Sequence, residues 1–244
     1  MSAHDRKVGV VVPAAGQGRR MGTNRNKQFF ELDGTPILLR TLESFQCSPT
    51  ITTIVLAVSS EEMTTVQSLV RGAGISKVSV VVAGGEERQD SVWNGIEALK
   101  NQNVEYVLVH DAVRPFIDQE LIERVLNAAV RFGAAVPALR VKETVKRVDP
   151  EGIVRETVAR EHLWLAQTPQ AFEFQLLYRA YRQSQSDNFV GTDDASLVER
   201  LGERVCIVEG SSDNIKITTP EDLDLARSIL RKRPASQTNG SGSN

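Results

Sequence analysis

The chain has 244 residues, of which 41% are hydrophobic and 25% charged, with a formal net charge of -2. That is an ordinary globular composition. It lacks the basic excess of a nucleic-acid binder, and no apolar run reaches membrane-spanning length. Two cysteines, Cys47 and Cys206, form neither a CxxC pair nor a metal spacing, and they are expected as buried structural thiols of a reducing compartment.

The opening MSAHDRKVGVVVPAAG lacks a signal-peptide pattern, so a cytoplasmic location is expected. Val8 to Val12 is a continuous β-branched run, the mark of a strand buried on both faces of a parallel sheet. Further strands are predicted at Ile51–Val58, Val78–Ala83, Val104–His110 and Ala134–Ala138. Helical periods lie between them. Residues 36–46 open with Pro36 as a first helical position. Residues 60–71 follow Ser59, which with Glu62 spells a capping box. In 118–132, Leu121, Val125, Ala129 and Phe132 share one face. This alternation predicts an α/β fold with a doubly wound, mostly parallel Rossmann-like sheet.

The rhythm breaks after Pro137. Polar-alternating pieces over Arg140–Val148 and Ile153–Thr157 flank the turn Asp149-Pro150-Glu151-Gly152, predicting a protruding β-arm across 139–162. An arm whose faces are not apolar enough to form a core alone either folds back or reaches a second subunit, and the second reading is preferred. Helices follow near 173–185 and 193–201, with a strand at Arg204–Val208. A last helix begins at Thr219-Pro220-Glu221-Asp222, with Thr219 as cap. Residues 1–233 read as one domain, and the polar tail 234–244 as disordered.

The first strand runs into Pro13-Ala14-Ala15-Gly16-Gln17-Gly18-Arg19-Arg20-Met21-Gly22. Small residues at a strand's carboxyl end let backbone N–H groups approach an anion. Met21 breaks the dinucleotide fingerprint, and no Gly-Lys pair completes a Walker loop. Instead Arg20 and Lys27 offer guanidinium and ammonium groups suited to phosphate. The competing reading is an ordinary glycine turn with solvated arginines.

Asp111 ends the strand at His110-Asp111-Ala112-Val113-Arg114, where a carboxylate near phosphates is a natural Mg²⁺ ligand. An ordinary turn aspartate competes with that reading, while His110 reads as a packed strand-end residue. Gly84-Gly85-Glu86-Glu87-Arg88-Gln89-Asp90-Ser91 opens a helix and can meet a base or ribose. Asp213 and Lys216 could share the metal and a phosphate, or form a surface ion pair.

Together the segments PAAGQGRRMG, KQFFEL, GGEERQDSV, VHDAVRPF, VKETVKR, TPQAF, TDDASLVE and EGSSDNIKITTPEDL resemble the 2-C-methyl-D-erythritol 4-phosphate cytidylyltransferase family in order, over residues 8 to about 230. The resemblance implies transfer of a cytidylyl group from CTP to a sugar-alcohol phosphate, in the non-mevalonate route to isoprenoid precursors, with Mg²⁺ as cofactor. It implies that Arg20 and Lys27 stabilise the transition state and that Lys216 holds phosphates. Asp111 is implied as metal ligand, with Asp213 a second carboxylate. Ala14, Ala15, Gly16, Gly84, Gly85, Arg88, Ser91 and Ala112 are implied around CTP.

Thr144 and Arg160 match acceptor-binding residues that, in the family, come from the partner's arm, so a homodimer with composite sites is implied. Arg114 and Thr192 are expected beside that acceptor pocket, with Asp213 and Lys216. One departure stands out: Asn26 replaces the proline usual before the loop lysine. The alternatives are a sister enzyme acting on ribitol 5-phosphate, a nucleotide-binding regulator without catalysis, and an NAD-dependent dehydrogenase.

Overall fold

A computed structural model describes residues 6–16 and 27–233, the side chain of Lys27 excepted. Strand β1 (Val8–Ala14) is followed by a 3-10 turn at Lys27–Phe29 and the short pair β2 (Glu31–Leu32) and β3 (Thr35–Pro36). Then come α1 (Ile37–Gln46), β4 (Ile51–Val58), α2 (Met63–Gly72), β5 (Val78–Ala83), α3 (Arg88–Leu99) and β6 (Tyr106–Val109). The second half holds α4 (Gln119–Phe132), β7 (Ala134–Arg140), β8 (Val145–Val148), β9 (Val154–Val158), β10 (Trp164–Ala166) and β11 (Gln170–Glu173). It closes with α5 (Phe174–Ser186), α6 (Asp194–Arg200), β12 (Cys206–Glu209) and α7 (Pro220–Lys232).

The main sheet has eight strands in the order β10-β7-β11-β6-β1-β4-β5, with β12 also on β7. Pairs β6/β1, β1/β4, β4/β5 and β12/β7 are parallel. The period of two along β1 sorts its valines: Val8, Val10 and Val12 enter the core under α1, α2 and α4, while Val11 enters the core under α3, α5 and α6. Full burial of each side chain contributes about 1.5–3 kcal/mol. The chain leaves β1 towards β4 and β5 on one side, then returns through α3 to β6 on the other. A crevice opens at that reversal, above the strands' carboxyl ends.

Several expectations need correction. β11 inserts antiparallel between β6 and β7, pairing Phe172 with both Val107 and Ala134. Four residues with one exposed end carry too little periodicity to announce a central strand. Pro36 is the N-cap of α1 rather than its first helical residue, because it still belongs to the β2/β3 pair. The Ser59 capping box is absent: a 3-10 turn at Ser60–Glu62 intervenes, and the Ser59 side chain makes no cap bond. Phe132 is 46% exposed, with the Arg131 guanidinium over its ring instead of core packing. Cys47 is exposed and Cys206 half-buried, since each falls at an element's edge.

The α7 start behaves as expected. Thr219 Oγ1 accepts from the Asp222 backbone, and Asp222 accepts from the Thr218 and Thr219 N–H groups at 2.7 and 2.9 Å. Strands β8 and β9 form a separate two-stranded sheet. Its turn is closed by Asp149, whose Oδ1 accepts from Ile153 N at 2.8 Å, and by Gly152 at φ +83°. Val148, Ile153 and Val154 remain more than half exposed on this hairpin. Among the described residues no helix is long and apolar enough to cross a membrane.

Candidate active site

The carboxyl ends of β1, β4, β5 and β6 surround a cleft of about 830 Å³. Its wall includes Ala14, Ala15, Gly16, Gly84, Gly85, Arg88, Ser91, Asp111, Ala112 and Lys216, all expected from the sequence, together with Gln28 and Ser59. Arg20 and Asn26 lie outside the described residues, as does the Lys27 side chain. Gln28, 3% exposed, anchors the Lys27–Phe29 turn by donating to the Ala14 carbonyl at 2.6 Å.

The β5–α3 turn is built on close approach. A Cβ on Gly84 would stand 2.4 Å from Ala15 Cβ, and one on Gly85 2.2 Å from Asp90 Cβ. No side chain fits there. Ser91 Oγ accepts from Gly85 N at 3.1 Å and donates to the Glu87 carbonyl, while Asp90 accepts from Glu87 N. The first turn of α3, closed by a capping box between Glu87 and Asp90, places Arg88 and Ser91 on the cleft wall, and a helix N-terminus there suits an anion.

Asp111 is the electrostatic centre. Its Oδ1 lies 3.1 Å from Arg88 Nε, and its Oδ2 lies 2.9 Å from Lys216 Nζ and 3.4 Å from Arg114 Nε. Burial pushes this carboxyl up, but Arg88, Lys216 and Arg114 outweigh it and hold Asp111 well below the usual carboxylate range. It is therefore ionised in a cluster with a net excess of positive charge. The cluster can receive phosphate oxygens.

Behind it, His110 is fully buried, and burial lowers its pKa to about 4. Its Nε2 faces the Arg114 carbonyl at 3.0 Å, and its Nδ1 faces Thr168 Oγ1 at 3.1 Å. A carbonyl only accepts, so Nε2 carries the proton and Thr168 donates to Nδ1. Thr168 Oγ1 also accepts from Asp111 N. His110 is a packed strand-end residue, as expected.

Asp213 is exposed and does not line the cleft. The turn through 213–216 buries Asn214 completely and sends Lys216 to Asp111, so the alternative of an Asp213–Lys216 surface pair gives way to a bridge into the site, and Asp213, expected as a second metal carboxylate, stands away from it. Thr144, Arg160 and Thr192 are all exposed, and none lines the cleft of its own chain. Arg160 instead donates to the Lys142 carbonyl at the base of the hairpin.

Sequence reading missed Gln167, Gln170 and Asn214, which with Arg114 tie these loops together. Gln167 donates to the Ser211 carbonyl and accepts from Ser211 N, Asn214 donates to the Thr168 carbonyl, and Arg114 donates to the Asn214 carbonyl. Gln170 bonds Asp193 and the Ala195 N–H at the start of α6. The TPQAF segment, around the cis Thr168–Pro169 bond, thereby staples β6, the 211–216 turn and α6. Its polar residues beside a proline were the available signal.

Comparison with known proteins gives a consistent result. A family model described as 2-C-methyl-D-erythritol 4-phosphate cytidylyltransferase matches residues 8–232. Proteins of that description from Geobacillus kaustophilus (strain HTA426) and Syntrophus aciditrophicus (strain SB) are 47% and 46% identical to this chain. The alignments cover 92% and 93% of it and 97% of each relative. The crystal structure of 4-diphosphocytidyl-2C-methyl-D-erythritol synthase from Anaerococcus prevotii DSM 20548 superposes with a TM-score of 0.81 at 31% identity, covering 93% of this chain and 99% of that one. The 2-C-methyl-D-erythritol 4-phosphate cytidylyltransferase from Thermus thermophilus gives 0.74 at 35% identity, over 92% and 99%.

Proposed function

The chain belongs to the 2-C-methyl-D-erythritol 4-phosphate cytidylyltransferase family, and on that premise we propose that its cleft joins CTP to 2-C-methyl-D-erythritol 4-phosphate. The acceptor's phosphate oxygen attacks the α-phosphorus of CTP, and the bond to the β-phosphate oxygen breaks. The products are 4-diphosphocytidyl-2-C-methyl-D-erythritol and pyrophosphate. Such transfer needs alignment and charge neutralisation more than covalent catalysis. The observation that supports this reading best is Asp111 held among Arg88, Arg114 and Lys216 at the reversal point of the sheet.

Ala14, Ala15, Gly16, Gly84, Gly85 and Ser91 are assigned to the nucleotide, because their small side chains let it approach the backbone. Arg20 and Lys27 are assigned to the charge that builds at the α-phosphate, and Lys216 with Arg114 to the acceptor's phosphate. Asp111 offers an ionised oxygen ligand of the kind a hard cation such as Mg²⁺ takes beside a triphosphate. Mg²⁺ held by Asp111 and the triphosphate would supply further charge neutralisation when bound.

The acceptor half of the site is assigned to Thr192 and to Thr144 and Arg160 of a partner subunit. The exposed apolar residues of the β8/β9 hairpin favour an exchanged-arm homodimer. Pyrophosphate release measured with CTP and each acceptor tests the assignment. Turnover is expected with the erythritol phosphate, and a preference for ribitol 5-phosphate would overturn it.

A further inference from the structure

Asp194 is 1% exposed at the first position of α6, beyond the cleft lining. A buried carboxylate is costly unless paired and hydrogen-bonded. Here both oxygens are used. Arg88 Nη1 and Nη2 donate to Oδ1 and Oδ2 at 3.1 and 2.8 Å, and Tyr181 Oη donates to Oδ1 at 2.5 Å. The third edge of the same guanidinium, Nε, donates to Asp111 at 3.1 Å. Arg88 is therefore a rigid bridge between two carboxylates, and its planar fork fits that geometry where a lysine ammonium would not.

The bridge joins two halves of the site. Asp111 lies on the cleft wall assigned above to the nucleotide, whereas Asp194 lies two residues after Thr192, assigned above to the acceptor. A second tie runs alongside: Gln89 donates to the Phe189 carbonyl and accepts from Gly191 N, at 3.0 and 2.9 Å. The 189–194 segment and the first turn of α3 are thus fixed to each other. Small errors in the alignment of attacking and leaving oxygens cost rate steeply.

We infer that Asp194 is a positioning residue for cytidylyl transfer: by gripping Arg88 it holds Asp111 in register with the acceptor-side segment. Arg88 then serves to orient Asp111 rather than to bind the cytidine. The inference rests on the function proposed above. Turnover by the unmodified enzyme tests that function separately.

The test compares kcat and KM for CTP in Asp194→Asn, Asp194→Glu, Tyr181→Phe, Arg88→Lys and the Asp194→Asn/Arg88→Lys pair, with melting temperatures for each. Asp194→Asn should lower kcat about tenfold or more with KM for CTP within about threefold. Asp194→Glu should recover most of the loss. Tyr181→Phe removes a bond to the same carboxylate but leaves the Arg88 grip, and should keep kcat within about twofold at a comparable loss of stability. The double variant should be no slower than Arg88→Lys alone.

Near-normal kcat in Asp194→Asn, or equal losses in Tyr181→Phe, would overturn the inference. Should Asp194→Asn not fold, Arg88→Lys reads the bridge from its other end. It keeps the charge but cannot span both carboxylates, so unimpaired kcat there would be the contrary result.

Discussion

Lys216 Nζ lies 2.9 Å from Asp111 Oδ2, joining the turn before α7 to the end of β6. The contact places a 42%-exposed cation beside an 8%-exposed anion at the mouth of the cleft. Arg88 and Arg114 approach the same carboxylate, so Asp111 both neutralises and arranges three positive groups. Substitution of Asp111 with Asn should lower kcat/KM about a hundredfold or more, as for other losses of charge stabilisation. Arg114 is largely buried, and leaving it without its anion should cost about 1–3 kcal/mol in denaturant unfolding.

A second prediction concerns pH. His110 titrates near 6.5 when unfolded but is lowered to about 4 by burial in the fold. Its folded value is depressed, so the unfolded chain takes up the proton first as pH falls. Stability attributable to neutral His110 is fully present above about 6.5 and is lost between there and about 4. Melting temperatures should fall across that window. His110→Asn should be less stable at neutral pH but flatter between the two limits. The folded Asp111 carboxyl is held below the usual carboxylate range, so its contribution is present above that range and is lost as pH falls from there downward.

Close backbone approach at the nucleotide wall gives a third. Gly84→Ala would place its Cβ 2.4 Å from Ala15 Cβ and 2.8 Å from Ser91 Oγ. Overpacking of this kind costs about 1–3 kcal/mol and should raise KM for CTP through displacement of the Ala15–Gly16 turn. Ala15→Gly in the same chain should recover part of both effects. Melting temperature and CTP kinetics check this, and a silent Gly84→Ala would show that the turn yields without cost.

How much of this was legible beforehand depends on residue spacing. The buried run at β1 and the alternation through α4 announced a parallel sheet because each pattern extends over a full element. Strand β11 did not, because four residues flanked by Pro169 and a helix carry almost no period. The cleft was legible where small residues follow strands, at Ala14–Gly16 and Gly84–Gly85, and where Asp111 follows β6. The Arg88 bridge was not. Asp194 lies 106 residues from Arg88, and only the tertiary fold brings their side chains to 2.8 Å.

The arm supplies a fourth prediction. Replacing Ile153 and Val154 with Asp, both more than half exposed on the hairpin, should shift the sedimentation equilibrium toward monomer and lower turnover together. Lys27→Ala and Arg160→Ala should each lower kcat about a hundredfold or more when alone. Mixed and allowed to exchange subunits, the two should regain activity, because one hybrid site then holds both intact residues. Absence of recovery in a mixture shown to exchange subunits would place Arg160 in the site of its own chain.

The most direct test of the central claim follows the α-phosphorus. CTP labelled at that atom is incubated with the enzyme, Mg²⁺ and 2-C-methyl-D-erythritol 4-phosphate, and the products are separated. All transferred label is expected in the diphosphocytidyl product and none in pyrophosphate. Label remaining in CTP, or released as free CMP without the acceptor conjugate, would contradict it.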